Sequence, residues 1–504
     1  MGKELFIGAD IGTSNVKAVI FDETANQLGE STRAYPTFFP KQNCAEQDPQ
    51  DWWRNFTAAV KDLKSICSGR HVAAVSISSH VPSLTPVDRN GNAFMRSLIW
   101  MDNRSLPQCS RLEKHFKKLL QENTPAELLP YHFLPKLLWF RENCPEAYGR
   151  TWKFLQPKDY VNYKLTGRGM TDVSCAGLNH LFHVYDRKYS KEAAKELKID
   201  LEKMPEVCRS ADIIGTVLPE PARELGLSED TAVLCGGVDT AMAALGSGIL
   251  KKGDIIISAG TGGNIVFCTD KLAENPHLAV LPYVVDGLYL QTAVQVNIGG
   301  VLKWFENCFG EEYAGIAKRK QRDPYDVITQ CAATRPAGAG GLMMLPFLNG
   351  ELAPVYDPHT KGVFWGISPN TQRDDFARAV LEGVCLSIRQ SMDMVEEGRS
   401  TADCIMVAGG IAQSAKWMQI MADVLQKPVV TGPGTAEAPV GNALLGIRKF
   451  GFCQEYLDVL PNLSAEYIPD PRNRSIYEKL SERFRKLYSM SKELFRESFR
   501  DGRA

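Results

Sequence analysis

The sequence predicts an α/β protein built from two similar lobes, and three observations carry that prediction. The chain has 504 residues, well beyond the roughly 100–200 of an ordinary domain, so it holds more than one core. A strand, a Gly-Thr turn and a second strand occur together twice, with Asp10 and Ser258 at equivalent places 248 positions apart. An apolar strand running into Gly-Gly and then a helix also occurs twice, at Gly236-Gly237 and Gly409-Gly410.

The first strand–turn–strand unit is LFIGADIGTS over residues 5–14, followed by Val16 to Phe21. Two apolar runs joined by a turn rich in Gly and Thr form a β-hairpin. The second unit is GDIIISAGTG over residues 253–262, followed by Asn264 to Phe267, so Gly260 matches Gly12 and Thr261 matches Thr13. Glycine lets backbone N–H groups approach an anion without a Cβ in the way, and Thr adds a hydroxyl donor. Two such turns, one from each lobe, can pinch a polyphosphate. Two unrelated hairpins with ordinary Gly-Thr turns are the alternative, and the matched positions favour the phosphate reading. Gly12, Thr13, Ser14, Gly260, Thr261 and Gly262 form the phosphate-facing set. Only the first copy adds an acid, Asp10, and a cation, Lys17. That asymmetry suits a magnesium nucleotide, because Mg²⁺ needs few carboxylates and keeps most of its waters.

Residues 231–250 run from an apolar strand through Gly236-Gly237 to Asp239, which opens an Ala-rich helix. An acid there is either a helix N-cap or a general base, held ionised by the helix dipole and aimed at a substrate hydroxyl. Beside two phosphate turns the base is the better reading. Residues 404–425 repeat the layout, and Trp417, Ile420, Met421, Val424 and Leu425 make a helical stripe that belongs to the core. A flat base can slide against the bare Gly409-Gly410 backbone, with Ala436 to Asn442 as a second wall. Tyr477, Leu480, Phe484, Leu487, Leu494 and Phe495 make the tail from Arg472 to Arg500 amphipathic. Packing on the C-terminal lobe is expected of it rather than a membrane or partner role.

Lys+Arg is 58 against Asp+Glu 59, with no long basic block, which points to a small-molecule partner and away from nucleic acid. The 13 cysteines are scattered and include no CxxC pair. His180 and His183 lack the acid of a zinc motif and read as half-buried aromatics beside Leu181 and Phe182. No apolar leader core and no 18-residue apolar run occur, so a cytoplasmic protein without a membrane segment is expected. There is no GxxxxGK[ST] phosphate loop, and Gly338 to Gly341 lacks the strand–turn–helix setting of a dinucleotide fingerprint.

Several motifs, taken together and in order, resemble those of the FGGY carbohydrate kinases, the xylulokinase branch being nearest. They are Asp10-Ile11-Gly12-Thr13-Ser14 with Lys17; Glu46-Gln47-Asp48-Pro49 with Trp52-Trp53; and Trp100-Met101-Asp102-Asn103-Arg104. Pro157-Lys158-Asp159-Tyr160, Leu165-Thr166-Gly167 and Thr171-Asp172 follow, then Gly236-Gly237-Val238-Asp239, Gly362 to Ile367 with Phe376 to Glu382, and Gly409-Gly410 with Ser414, Trp417 and Ala422-Asp423. The resemblance runs from about residue 4 to 450. It implies two ribonuclease-H-like, actin- and hexokinase-type lobes with ATP in the cleft and the sugar beneath it. It implies an N-terminal lobe over 1–250, an adenosine-binding lobe over 251–450 and a helical extension over 451–504.

The same resemblance implies roles for single residues. Asp239 takes the proton of the accepted hydroxyl, and Asp10 acts near Mg²⁺. The two turns with Lys17, Gly299, Lys303, Gly409, Gly410, Gln413, Ser414 and Asn442 hold ATP, and His80, Val81, Trp100 and Asp102 contact the acceptor. The reaction is phosphoryl transfer to a ketose, a pentulose first, or to a polyol. A non-catalytic ATP binder of the same fold is the rival from another class, and a homodimer is the assembly entertained. One segment departs from the branch. Where xylulokinases carry Gln-Met-His-Gly, this chain has His80-Val81-Pro82-Ser83, and Pro cannot reproduce a histidine contact. That departure speaks against D-xylulose as the preferred acceptor. The Arg-Glu pair of glycerol kinases is missing from Ser79 to Val87, which speaks against glycerol.

Overall fold

The computed structural model describes residues 4–396, 402–432, 437–460 and 465–500. Ala436, read above as part of a wall for the base, lies outside them. In the first lobe β1 (Leu5–Ile11), β2 (Asn15–Asp22) and β3 (Gln27–Ala34) run antiparallel. β4 (Val72–Ser79) lies parallel to β1, and β5 (Ile213–Thr216) with β6 (Ala232–Leu234) completes the order β5-β6-β4-β1-β2-β3. The short β7 (Gly237–Val238) pairs with the end of β4. Every residue of β4 is buried, as expected of a central strand with helices on both faces.

The second lobe repeats the plan. Its strands are β8 (Ile255–Ala259), β9 (Gly263–Thr269), β10 (Ala279–Pro282), β11 (Tyr289–Gln295), β12 (Ile405–Ala408), β13 (Val429–Thr431) and β14 (Ala465–Tyr467). They follow the order β10-β11-β9-β8-β12-β13-β14. Matching β1 with β8 and β4 with β12 aligns β3-β2-β1-β4-β6-β5 with β11-β9-β8-β12-β13-β14, every pair agreeing in sense, with β10 an added edge strand. The strands on the hairpin side are antiparallel, the two central pairs are parallel, and the far edge is antiparallel. The repeat read from the two Gly-Thr turns is thus a repeat of whole sheets.

Nine helices carry the argument. They are α1 (Pro49–Asp62), α2 (Phe133–Asn143), α3 (Pro157–Thr166), α4 (Asp239–Gly246), α5 (Gly299–Phe309), α6 (Arg373–Glu396), α7 (Ala415–Leu425), α8 (Glu437–Lys449) and α9 (Arg474–Arg500). The α7 stripe is buried in the second lobe's core together with Tyr477, Leu480, Phe484 and Phe495 of α9. Leu494 of the tail stripe points to solvent instead. No helix among the described residues is long and apolar enough to cross a membrane.

Helix α8 follows β13 in sequence but packs across the first lobe, against β1, β4 and α4. The approach is close enough to need glycine on both sides: a Cβ on Gly8 would overlap the Pro439 carbonyl, and one on Gly441 the Met242 carbonyl. This changes the reading of Asn442. Expected to face the nucleotide, it is fully buried, and its Nδ2 donates to Ala9 O at 3.0 Å, Ser78 Oγ at 2.9 Å and Ala438 O at 3.1 Å. Its Oδ1 accepts from Ser76 Oγ at 2.9 Å. Asn442 is therefore a clamp between α8 and the first lobe's sheet. Truncating it leaves buried partners unsatisfied, about 1–3 kcal/mol each, so Asn442→Ala should lower the midpoint of thermal unfolding by several degrees. An unchanged midpoint would remove the clamp.

Candidate active site

The two Gly-Thr turns are built alike. In the first, the carbonyls face the lobe: Tyr35 OH donates to Gly12 O, Gln47 Nε2 to Thr13 O at 2.7 Å, and the Tyr35 N–H to Ser14 O at 3.1 Å. In the second, Gly299 N donates to Gly260 O at 2.9 Å, and Ile298 N and Gly300 N donate to Thr261 O. A trans peptide sets each N–H opposite the preceding carbonyl. The amides of Thr13, Ser14, Thr261 and Gly262 therefore point away from their lobes, as anion cradles require. A Cβ on Gly262 would meet the carbonyls of Gln295 and Val296, and one on Gly299 would overlap Gly260 O. Gly299, expected to touch the nucleotide, spends its N–H on the turn and supports it from behind. Glu351 fixes that support, accepting from Val296 N at 2.6 Å and from Asn297 N and Nδ2.

The other nucleotide expectations divide. Gly409 sits at φ 92° against Ala259 O, whereas a Cβ on Gly410 would meet open space. Gln413 is exposed. Ser414 caps α7 by accepting from Trp417 N at 3.3 Å. Lys303 lies on the exposed face of α5, paired with Glu306 at 2.8 Å. Lys17 faces Asp10 across the hairpin, but its ammonium pairs with Glu30 at 3.1 Å.

The two acids flank one strand. Asp10 on β1 lies in register with Ser78 of β4, and Val238, just before Asp239, pairs with Ser79 on the other side. Ser78 Oγ donates to Asp10 Oδ1 at 2.7 Å. Asp239 Oδ1 accepts only from the next residue, from Thr240 N at 2.6 Å and Oγ1 at 3.2 Å. It forms no ordinary cap, since the N-cap of α4 is Val238. Burial first, and then the Asp10 carboxylate, push the Asp239 pKa up to about 7. The expectation that the helix dipole holds it ionised is thus corrected: desolvation and a like charge outweigh a half-unit of dipole charge. Burial also raises Asp10, against the Ser78 hydrogen bond and Lys17.

The turn that presents Asp239 rests on a buried polar network. Lys158 Nζ lies 2.7 Å from Asp159 Oδ1 and 3.2 Å from Asp172 Oδ1, and donates to Cys235 O at 3.2 Å. Asn162 Nδ2 donates to the same carbonyl at 2.9 Å. Asp172 Oδ2 accepts from Ser174 Oγ at 2.5 Å and Ser210 Oγ at 2.7 Å, and Ser174 Oγ accepts from Val238 N at 3.0 Å. The segments read as PKDY and TD motifs are therefore struts under the turn that presents Asp239.

The acceptor-side residues require correction. His80 is fully buried: its Nε2 lies 3.1 Å from Gln47 Oε1, which also accepts from Trp52 Nε1 at 3.0 Å. Burial, with Lys136 nearby, pushes its pKa down to about 3. It is a neutral link to the first phosphate turn through Gln47, with no free nitrogen for a sugar. Asp102 is buried too, and accepts from Ala45 N at 2.7 Å and Arg104 Nε at 2.9 Å. Val81 is half-buried beside Val238 and Ala241, and Trp100 stays 40% exposed with its Nε1 on Thr13 Oγ1 at 2.9 Å. Sequence reasoning missed Lys136. Wholly buried on α2, it donates to Pro82 O at 2.8 Å and Ile99 O at 2.7 Å, bracing both acceptor loops. Burial takes its pKa down to about 7.

Two family models, the N-terminal and C-terminal domains of the FGGY carbohydrate kinases, match residues 5–246 and 255–450. The chain belongs to the FGGY family of carbohydrate kinases. Family membership settles the enzyme reading over the non-catalytic ATP binder. The chain is 30% identical over 498 residues to a xylulose kinase of Lactococcus lactis, covering 97% of each. It is 26% identical to a gluconokinase of Bacillus subtilis, covering 94% of this chain and 93% of that one. Among solved structures, a xylulose kinase from Rhodospirillum rubrum superposes with TM-score 0.89 at 26% identity, over 98% and 100% of the two chains. This FGGY kinase should report the strut beneath Asp239 directly. Ser174→Ala removes the acceptor of Val238 N–H, so kcat should fall about tenfold while the nucleotide Kd stays put, about 1–3 kcal/mol being typical for such a loss. Equal weakening of both would assign Ser174 to general folding.

Proposed function

We propose that this kinase transfers the γ-phosphoryl group of ATP to a hydroxyl of a ketose, a pentulose first, with Asp239 as general base. The observation that carries the reading is Asp239 itself: half-buried, bonded only to its neighbour Thr240, free of any cation partner among the described residues, and poised near pH 7. The names of the relatives support the pentulose. The departure at His80 to Ser83 still counts against D-xylulose in particular, because His80 is occupied within the lobe and Pro82 offers no imidazole nitrogen in its place.

The residues present fit the nucleotide and its metal. Glycine at 12 and 262 lets the two turns close against the carbonyls of Asn15 and Gln295, and the turn amides that face away from the lobes are the donors phosphate oxygens require. Asp10 offers one carboxylate, and no three His, Cys, Asp or Glu side chains gather into a metal cage among the described residues. That donor set suits Mg²⁺, which is commonly bound through one or two carboxylates and substrate phosphates. Mg²⁺ so bound supplies charge neutralisation to the transferring phosphoryl group. Asp239 receives the hydroxyl proton at its carboxylate, and the two turns orient the phosphates from opposite lobes. The reading locates the enzyme with its ATP in the cytoplasm.

Asp239→Asn should bind ATP normally and lose at least a thousandfold in kcat. A near-normal kcat would return Asp239 to a structural role. In the free wild-type enzyme, kcat/KM for the acceptor should rise as pH passes upward through about 7, because only the ionised carboxylate accepts a proton. The stability effect has the opposite sign. A carboxylate raised above its unfolded value stabilises the fold fully only below about pH 4, and that contribution is lost by pH 7. The Asn variant should therefore unfold at higher temperature than wild type at pH 8, and a lower Tm there would contradict the desolvation account.

A further inference from the structure

In the segment His80 to Ser83, where the chain departs from the xylulokinase pattern, both polar side chains are engaged inside the first lobe. They lead to the first phosphate turn. Four consecutive carbonyls of that turn are held by donors of the lobe. His80 N donates to Ile11 O at 3.0 Å, Tyr35 OH to Gly12 O, Gln47 Nε2 to Thr13 O at 2.7 Å and Tyr35 N to Ser14 O at 3.1 Å. Residue 80 thus holds the first carbonyl through its backbone, and its side chain reaches the third through Gln47.

The direction of that second link is fixed. Gln47 is wholly buried. Thr13 O can only accept, and Trp52 Nε1, 3.0 Å from Gln47 Oε1, can only donate, so the amide cannot be reversed. Its other hydrogen goes to Thr37 Oγ1 at 2.9 Å. With Oε1 an acceptor, His80 Nε2 at 3.1 Å carries the hydrogen, and Nδ1 accepts from Ser83 Oγ at 3.4 Å. Burial, with Lys136 nearby, keeps the ring neutral, as this single tautomer requires. Every hydrogen in the chain Ser83–His80–Gln47–Thr13 therefore points toward the turn. Bonds aligned in this way polarise one another, so donation into Gln47 Oε1 strengthens the hydrogen bond from Nε2 to Thr13 O. Among the described residues Thr13 O has no other donor. Held inward, that carbonyl commits the Ser14 amide to the cleft. A peptide turned the other way sets a carbonyl, and not an amide, against a phosphate oxygen.

Resting on the nucleotide part of the reading above, we infer that His80 is a positioning residue for ATP, acting with Ser83 through Gln47 to hold the Thr13–Ser14 peptide with its amide toward the phosphates. A residue sited in the acceptor motif thereby acts on the other substrate.

The test is isothermal titration calorimetry of the full-length protein, without acceptor, using the magnesium complex of a non-hydrolysable ATP analogue. His80→Phe fills the site without either ring nitrogen, and Kd should rise about fivefold, the scale of one weakened buried hydrogen bond. His80→Gln keeps one donor and one acceptor, as the neutral imidazole does, and should return Kd to within about twofold of wild type. Ser83→Ala, which removes only the outer donor, should raise Kd about twofold, and it carries the test if His80→Phe does not fold. An unchanged Kd in His80→Phe, or in Ser83→Ala where that variant stands alone, would overturn the inference. A His80→Gln as impaired as His80→Phe would do the same, reducing His80 to packing. Failure of the wild type to bind the analogue at all would overturn the kinase reading and the inference together.

Discussion

Two carboxylates, Asp10 and Asp239, are held on either side of one buried strand, and most of the site follows from that confinement. Like charges brought together out of water repel, and each then resists ionisation. The first lobe offsets part of this cost at Asp10, through the Ser78 hydroxyl and the charge of Lys17. At Asp239 it offers only Thr240, so that carboxyl stays poised near neutrality. The position is unfavourable for the resting fold and suited to accepting a proton. Lys158, Asp172 and Ser174 below it hold the backbone in place without touching the carboxylate. Strength is thus applied to the turn and withheld from the Asp239 carboxylate.

The same division recurs between the lobes. Each phosphate turn directs its carbonyls into its own lobe, and trans peptide geometry then commits the following amides to the cleft. Helix α8 crosses from the second lobe's sequence to the first lobe's sheet, where Asn442 joins it to Ser78, the residue that bonds Asp10. One short chain of hydrogen bonds therefore runs from the lobe junction to the carboxylate suited to the metal.

Much of this was legible in the sequence, and the limits are physical. The repeat was visible because hairpins and Gly-Thr turns are local, and matched sheets followed from it. Asp239 was visible because a strand, two glycines and an acid at a helix start are contiguous. The roles of His80, Asp102 and Asn442 were not, because direction of a side chain depends on neighbours distant in sequence: Gln47 for His80, Ala45 for Asp102, Ala9 and Ser78 for Asn442. A motif shows that a residue matters and not which way it faces. Lys136 gave no signal at all, since a lysine among Leu, Trp and Phe on a helix reads as a solvated face until its three carbonyl partners are folded around it. His180 read as a half-buried aromatic, whereas it is almost wholly buried and its Nδ1 has no partner among the described residues.

The central claim is that burial and Asp10 together keep Asp239 near its titration midpoint at neutral pH. The direct measurement is a ¹³C NMR titration of aspartate-labelled enzyme, with the Asp239 signal assigned by its absence in Asp239→Asn. The account predicts a midpoint near 7 in the free enzyme, moving lower when magnesium nucleotide offsets the charge of Asp10. A midpoint in the ordinary carboxylate range, about 4, and unmoved by nucleotide would contradict it.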